Sequence, residues 1–224
     1  MKKIISFLVG IVIFVLLPIL GWGISDLDGY FGNFYRMAFL VIMTFSTFLV
    51  VIFVPNEGRG FGDGDKKKLV KRQKFTILTL QIVPILIMIF SPYFDRYSIF
   101  TFSDNDYIRL IGLLFSIIGF FFMNWSIIVL GKHFSLNVTI QDNHKLIKNC
   151  PYGIIRHPRY LGIIVFIVGI PITFVSIIPL ILDLFVIGVI LWRIKDEEEL
   201  LRIEFKDEWD EYKKSTYSLI PFIY

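Results

Sequence analysis

Four long runs without a charged residue are the feature that most limits how this chain can fold. Each run is close to the ~20 apolar residues that a helix needs to cross the hydrocarbon core of a bilayer. Because 55% of the sequence is hydrophobic, a soluble domain of this size could not bury so much apolar surface. The runs therefore predict four transmembrane helices, at residues 4–20, 37–55, 75–94 and 110–131.

A fifth apolar region, residues 160–192, is too long for one ordinary crossing, because its 33 residues would make a helix about 50 Å long. It is interrupted by Pro171, Pro179 and the acid Asp183. We expect a helical hairpin with its turn at residues 176–179 and Asp183 near the outer end of the second leg. The predicted fold class is an all-α, polytopic membrane protein. It has four transmembrane helices, a C-terminal helical hairpin, which makes five to six spans in all, and a cytoplasmic amphipathic C-terminal helix.

The basic residues are distributed unevenly around these spans. With the N-terminus in the cytoplasm, three of the 23 Lys and Arg residues, namely Arg36, Arg96 and Arg109, lie outside, and the other 20 lie inside. Lys and Arg favour the cytoplasmic side of membrane proteins, so we expect both termini to be cytoplasmic. The basic cluster at residues 66–74 is then a topology signal with some attraction for anionic lipids.

The remaining composition excludes several functional classes. The net charge of +4 comes without the basic tail that is typical of nucleic-acid binding. Cys150 is the single cysteine, which excludes an intrachain disulfide framework and leaves too few thiolates for a cysteine-based zinc site. We therefore expect neither a metal nor a nucleic acid among the partners of this protein.

A polar stretch precedes the fifth apolar region and ends in Arg156, His157 and Pro158. Proline suits the first turn of a helix, so the pattern predicts a helix that begins at His157 and Pro158. Unpaired backbone N–H groups and the positive end of the helix dipole meet there and, with the Arg156 guanidinium, make a site for a carboxylate. Gly162 would let a ligand approach the backbone. Taken singly, these residues also fit interfacial anchoring, a helix cap and helix packing.

The C-terminal stretch has apolar residues at spacings of four, four and three, which predict one face of a helix. These residues are Leu201, Phe205, Trp209 and Tyr212. Glu197 and Glu198 precede Leu201 by four and three residues, so they begin the same stripe. A buried carboxylate needs a cationic partner, which Arg156 or a ligand ammonium would supply. Salt bridges to Lys195 or Arg202 at the start of the helix are the alternative.

The order and spacing of these motifs resemble the isoprenylcysteine carboxyl methyltransferase family and its phospholipid-methylating relatives. The main match is Arg156-His157-Pro158-x-Tyr160-x-Gly162, a hairpin, and then Arg193-Ile194-x-x-Glu197-Glu198-x-x-Leu201-x-x-x-Phe205. Supporting matches are Gly131-x-x-Phe134-Ser135, His144-x-Leu146, Pro151-Tyr152, Glu211-Tyr212-Lys213-Lys214 and Leu219-Ile220-Pro221-Phe222-Ile223. The resemblance covers roughly residues 130–224. Cys150 and Lys206 depart from it, since each stands where the family usually has glycine.

The resemblance implies a membrane methyltransferase that uses S-adenosylmethionine. By the same resemblance, the cofactor pocket is lined by His144, Tyr152, Arg156, His157, Tyr160, Gly162, Glu197 and Glu198. The catalytic candidates are Arg156, Arg193 and Glu198; an acceptor carboxylate needs no general base, and an arginine would orient it. The acceptor would be a lipophilic, prenylated or acylated molecule that enters from the bilayer. Residues 130–224 would form the methyltransferase core, and residues 1–129 the N-terminal helices and basic cytoplasmic loop.

Three other functions compete with this interpretation. A methyltransferase that acts on phospholipids or other small lipids is the nearest, because the motifs do not separate the two. A membrane reductase with a nicotinamide cofactor is a second, since sterol reductases resemble the family in their C-terminal half, although they generally have more spans. A non-catalytic membrane scaffold is the third.

Overall fold

The computed structural model of the chain describes residues 2–54, 73–102, 104–131 and 146–221. Within these ranges the backbone is helical apart from turns, loops and two isolated bridges, Thr101–Ser176 and Ile155–Tyr217. Five of the helices are long and apolar enough to cross a membrane. The all-α prediction is confirmed, and the chain is a multi-pass integral membrane protein.

The elements follow the predicted spans closely. They are α1 (Lys2–Ile11), a π-helical turn (Val12–Leu16), α2 (Leu17–Trp22), a 3-10 turn (Ile24–Asp26), α3 (Leu27–Phe31), α4 (Phe34–Phe53), α5 (Gln73–Tyr97), α6 (Asp106–Leu130), α7 (Pro158–Thr173), α8 (Ile177–Phe205) and α9 (Asp207–Ser215). α1, the π-helical turn and α2 together form the first span. Most of the basic cluster at residues 66–74 lies outside the described residues.

Local sequence explains where several helices start. The Asn33 side chain accepts hydrogen bonds from the N–H groups of Tyr35 and Arg36, so it caps α4. Asn105 caps α6 in the same way, through the N–H of Tyr107. The π-helical turn comes just before Pro18, which lacks the N–H that a regular helix would need there.

The fifth apolar region forms the predicted hairpin, with α7 and α8 as its legs. The turn lies at residues 174–176, so the predicted position of 176–179 is about two residues too late. Pro179 explains the difference. It stands in the first turn of α8, where the helix does not need its N–H, and therefore belongs to the second leg instead of the turn.

α7 packs closely against α6 through small residues. A Cβ atom on Gly162 would lie 2.5 Å from the backbone nitrogen of Met123, and one on Gly119 would lie 2.3 Å from that of Phe166. Only glycine allows such an approach of two backbones, as is common between membrane helices. This contact holds the first leg of the hairpin rigidly against α6.

One end of the bundle, which we call the ion-pair end, is held together by a buried ionic cluster. Nη1 and Nη2 of Arg109 each donate to a carboxylate oxygen of Asp95 at 2.8 Å. Arg109 also reaches the Thr173 carbonyl at 3.0 Å and Asp104 at 2.7 Å. Nε of Arg36 lies 3.0 Å from Asp95. The cluster thus links α4, α5 and α6 to the end of α7.

The C-terminal stretch differs from the single amphipathic helix that its apolar spacing predicts. α8 continues without a break from the membrane to Phe205, the chain turns at Lys206, and α9 follows as a separate helix. Lys206 has a φ of 47°, a region that favours glycine. A spacing of four residues fits a helix on either side of such a turn, which is why the periodicity does not reveal the break.

Candidate active site

The start of α7 is built by pairing with the C-terminal segment of the chain. His157 is the residue before the helix, and Pro158 is its first residue, as predicted. The N–H groups of Arg156 and His157 donate to the carbonyls of Tyr217 and Ser218, at 2.8 and 3.0 Å. These bonds fix the direction in which the Arg156 and His157 side chains leave the backbone.

The first cluster of the site is centred on Glu198, at the opposite end of the bundle from the ionic cluster. Its Oε1 atom accepts from Nε of Arg156 at 2.9 Å and lies 3.2 Å from Nε2 of His157. Ser218 Oγ donates to Oε1 at 3.4 Å, and Lys213 Nζ is 3.4 Å from Oε2. Two residues 42 positions apart, Arg156 and Glu198, therefore form a direct ion pair. Arg202, one of the alternative partners of the acid pair, instead lies 3.8 Å from Asp210.

Arg156 has further partners in the C-terminal segment. Its Nη1 donates to the Thr216 carbonyl at 2.5 Å and to the Lys213 carbonyl at 3.3 Å. We predicted that this guanidinium would bind a ligand carboxylate. In the structure its Nε and Nη1 atoms bond to Glu198 and to backbone carbonyls. In this structure Arg156 orients Glu198 and anchors the C-terminal segment over the start of α7.

A second cluster lies deeper in the bundle and joins the two legs of the hairpin. The Tyr160 hydroxyl donates to Oε2 of Glu197 at 2.8 Å. The same hydroxyl accepts from Nε of Arg193 at 2.7 Å. Tyr160 and Arg193 are both buried, and Glu197 is half-buried. Because its proton goes to Glu197, the hydroxyl presents its lone pairs to the Arg193 guanidinium.

The two clusters lie side by side because of spacing along two helices. Arg193 and Glu197 are four residues apart, so they share one face of α8, and Glu198 is the next residue. Tyr160 is three residues after His157, one turn further into α7. The antiparallel hairpin then brings the first turn of α7 beside the later turns of α8.

Tyrosines outside these clusters close the site from the C-terminal side. The Tyr212 hydroxyl donates to the Tyr152 carbonyl at 2.7 Å, and the Tyr152 hydroxyl donates to the Ser126 carbonyl at 3.3 Å. Burial raises the pKa of Tyr212 to about 12 and also raises the pKa of Tyr152, so both hydroxyls keep their protons at neutral pH. Trp209 is almost fully buried beside Tyr212. The aromatic residues of α9 therefore cover the loop that leads into α7.

Two predicted cofactor-lining residues stand apart from the clusters. Gly162 faces Met123 of α6, and this helix contact accounts for the glycine without a ligand. His144 lies outside the described residues, so the structure does not test its predicted role. Among the described residues, no group of three or more His, Cys, Asp and Glu side chains could hold a metal ion.

The sequence alone predicts no role for Lys213, Thr216 and Ser218. Lys213 belongs to the part of the family resemblance that lies near the end of the chain. The pair of acids Glu197 and Glu198 is the sequence signal for a further cation such as Lys213, because two carboxylates need more positive charge than Arg156 alone supplies.

Comparison with known proteins points to one family. Residues 110–203 match the isoprenylcysteine carboxyl methyltransferase family. The resemblance predicted from the sequence is confirmed. Relatives include a rice protein (Oryza sativa subsp. indica) named "Probable protein-S-isoprenylcysteine O-methyltransferase", 32% identical over 52% of this chain and 63% of its own length. "Protein-S-isoprenylcysteine O-methyltransferase B" of Arabidopsis thaliana is 28% identical over 54% and 63%. The Saccharomyces cerevisiae protein-S-isoprenylcysteine O-methyltransferase is 30% identical over 58% and 56%.

The chain spans less than two thirds of the length of these curated relatives. The segment that matches the isoprenylcysteine carboxyl methyltransferase family contains both clusters, from Arg156 to Glu198. It ends at residue 203, before Lys213, Thr216 and Ser218. The C-terminal segment that completes the Glu198 cluster therefore lies beyond the matched region.

Proposed function

We propose that this protein is an S-adenosylmethionine-dependent methyltransferase that forms the methyl ester of an isoprenylcysteine-like, lipophilic acceptor. The observation that carries the proposal is the meeting of the two clusters, through the Arg156–Glu198 ion pair and the Arg193–Tyr160 hydrogen bond. The family match and the names of the relatives support the same reaction. We place the methyltransferase core at residues 130–224, with residues 1–129 as the N-terminal helices.

The residues present fit S-adenosylmethionine, whose amino-acid end carries an ammonium and a carboxylate. Glu197 and Glu198 supply negative charge within one helical turn, and His157 stands at the N-terminal end of α7, where the backbone N–H groups and the helix dipole favour an anion. Glu197 and Glu198 would hold the ammonium, and His157 with the helix end would hold the carboxylate. Arg156 acts on this pocket by orienting Glu198. When bound, S-adenosylmethionine supplies an electrophilic methyl group on a sulfonium.

Arg193 is our choice for the residue that orients the acceptor carboxylate. Its guanidinium is buried near the point where α8 leaves the apolar part of the bundle. Tyr160, held by Glu197, fixes the position of Nε and with it the plane of the guanidinium, whose geometry suits recognition of a carboxylate. The acceptor oxygen is already anionic, so the chain needs no general base and contributes alignment and the exclusion of water.

The short first leg of the hairpin supports entry of the acceptor from the lipid. α7 has 16 residues, which gives a length of about 24 Å against the ~30 Å of a bilayer core. This shortfall allows the first turn of α7, which carries Tyr160, to lie below the level of the lipid headgroups. A prenyl or acyl tail can then remain in the hydrocarbon while its carboxylate reaches Arg193. The count of basic residues supports a cytoplasmic position for this end of the bundle and for both termini.

Binding of S-adenosylhomocysteine to the purified protein, measured by isothermal titration calorimetry, tests the cofactor assignment. We expect Glu198→Ala and His157→Ala to weaken binding at least about tenfold, because each removes a charge-assisted contact worth about 1.5 kcal/mol or more. Glu199→Ala is the matched control, since Glu199 is an exposed acid on the same turn of α8. Wild-type protein that does not bind would reject the methyltransferase and favour a reductase or a scaffold.

Acceptor profiling with radiolabelled S-adenosylmethionine tests the second half of the proposal. We expect label in a base-labile ester when the acceptor is an S-farnesyl-cysteine derivative, and none in phosphatidylethanolamine. Label in the phospholipid alone would favour the small-lipid methyltransferase. Arg193→Lys keeps the charge but loses the planar fork, so it should raise the KM for the acceptor and leave S-adenosylhomocysteine binding unchanged.

A further inference from the structure

Asp183 is a buried acid that the proposed reaction does not use. It lies in the second turn of α8, as the seventh residue of the helix, and its side chain has no exposed surface. Neither of its carboxyl oxygens has a hydrogen-bond partner among the described residues. The neighbouring Leu184 and Phe185 are exposed on the surface of the bundle that faces lipid. A polar group in such surroundings is strongly destabilising unless something binds to it.

A second polar group without its usual partner lies at the same level of the bundle. α8 packs against α5, and Ser176, the residue just before α8, donates to the Ser91 carbonyl of α5 at 2.7 Å. α5 and α8 run antiparallel, so a count of seven residues from this bond along each helix predicts that Asp183 lies at the level of Pro84. Proline has no N–H, so α5 lacks the donor that would normally bond to the carbonyl of Leu80. That carbonyl points along the helix toward Pro84.

The chemistry of these groups selects the kind of ligand. A carboxyl group and one carbonyl provide three oxygens, whereas hard cations such as Ca²⁺ or Mg²⁺ need six or more. A hydroxyl group both donates and accepts a hydrogen bond, so it can satisfy a carboxyl oxygen and reach a carbonyl at the same time. Its lack of charge suits a site inside the membrane.

We propose that Asp183, level with the Leu80 carbonyl that Pro84 leaves without its helical donor, is a binding site for a neutral hydroxyl group within the membrane-spanning part of the protein. The hydroxyl comes either from a hydroxyl-bearing lipophilic molecule or from a buried water. This site is separate from the Arg193 and Glu198 clusters and is independent of the proposed methyl transfer.

The thermal stability of apolar variants in detergent decides whether a ligand is present. If a hydroxyl binds to Asp183, Asp183→Leu leaves that hydroxyl without its partner and should lower Tm by about 4 °C or more. Asp183→Asn keeps a donor and an acceptor, so its Tm should stay within about 2 °C of the wild-type value. If nothing binds, Asp183→Leu removes an unsatisfied polar group and raises Tm above that of wild type, which overturns the proposal. Asp183→Val is the smaller replacement if leucine prevents folding, and the same two outcomes apply. Glu199→Leu controls for the loss of an exposed acid from the same helix.

A comparison of 1-dodecanol with dodecane in the detergent micelles distinguishes the two sources. Stabilisation by dodecanol in the wild type, absent from Asp183→Leu, assigns the hydroxyl to a lipophilic molecule. Equal Tm values in the two additives, together with the loss of stability in Asp183→Leu, assign it to a buried water. Both results support the site, whereas a rise in Tm on replacement by leucine or valine contradicts it.

Discussion

Nε of Arg193 donates to the hydroxyl of Tyr160 over 2.7 Å, and this bond joins the two legs of the hairpin at the candidate active site. The acceptor of the bond is itself held by Glu197, so three side chains from two helices fix one another. The position of the Arg193 guanidinium is therefore set by the hairpin and does not depend on a flexible loop.

Tyr160→Phe should impair catalysis without unfolding the protein. The change leaves Arg193 and Glu197 in place but removes the hydroxyl between them, so the guanidinium is no longer held in one orientation. We expect kcat to fall about tenfold, because a hydrogen bond to a charged group is worth about 1.5 kcal/mol or more. Methyl transfer and far-ultraviolet circular dichroism measure the two effects. Tyr107→Phe is the control, since Tyr107 is exposed on α6, and equal activities of both variants would exclude this role for Tyr160.

Arg156→Lys should loosen the C-terminal segment. Lysine keeps the positive charge but cannot reach Glu198 and the carbonyls of Lys213 and Thr216 with one planar group. We expect faster amide hydrogen exchange in residues 213–218, measured by mass spectrometry, while exchange in α6 stays constant. Arg202→Lys is the matched control, because Arg202 is an exposed residue of α8. Unchanged exchange in this segment would show that Arg156 does not anchor it.

Lys206→Gly should stabilise the protein. Lys206 has a φ of 47° at the turn between α8 and α9, a conformation that costs a non-glycine residue about 1 kcal/mol. Relief of that cost should raise Tm by about 2–4 °C for a chain of this length. Lys214→Gly places glycine within α9 instead and should lower Tm, because glycine is a poor helix former. A lower Tm for Lys206→Gly would mean that the turn does not adopt this conformation in solution.

Tyr212 should make stability depend on pH in the alkaline range. Burial raises the pKa of its hydroxyl to about 12, compared with about 10 in an unfolded chain. The native state thus holds the proton more tightly, so this contribution is complete below pH 10 and is lost as the pH rises from about 10 to about 12. Wild type should exceed Tyr212→Phe in stability at pH 8, by about 1 kcal/mol for the hydrogen bond to Tyr152, and the difference should shrink by pH 11. A difference that stays constant between pH 8 and pH 11 would contradict this pKa.

Much of the fold was predictable because bilayer thickness leaves few choices. Length and the absence of charge define the spans, and the excess length of residues 160–192 requires a hairpin. The position of its turn was less predictable. A proline after a turn fits the end of one helix or the first turn of the next, and in the structure Pro179 stands in the first turn of α8.

The sequence predicts most residues of the candidate site, but it predicts fewer of the contacts between them. A buried acid needs a cation, which anticipates the contact between Glu198 and Arg156. Charge alone does not reveal that Arg156 divides its donors between Glu198 and the carbonyls of the C-terminal segment, because a backbone carbonyl has no sequence signature. The same limit applies to the ion-pair end. The sequence identifies Arg36 and Arg109 only as basic residues on the outer side, whereas in the structure both contact Asp95.

The cluster around Asp95 also limits how the bundle can move. Four helices are fastened together at that end by bonds that a low-dielectric environment strengthens. Sliding of one helix along another would break several of these bonds at once. We therefore expect the helices to separate more easily at the opposite end, where Tyr160 and Glu198 lie and where the proposed acceptor would enter.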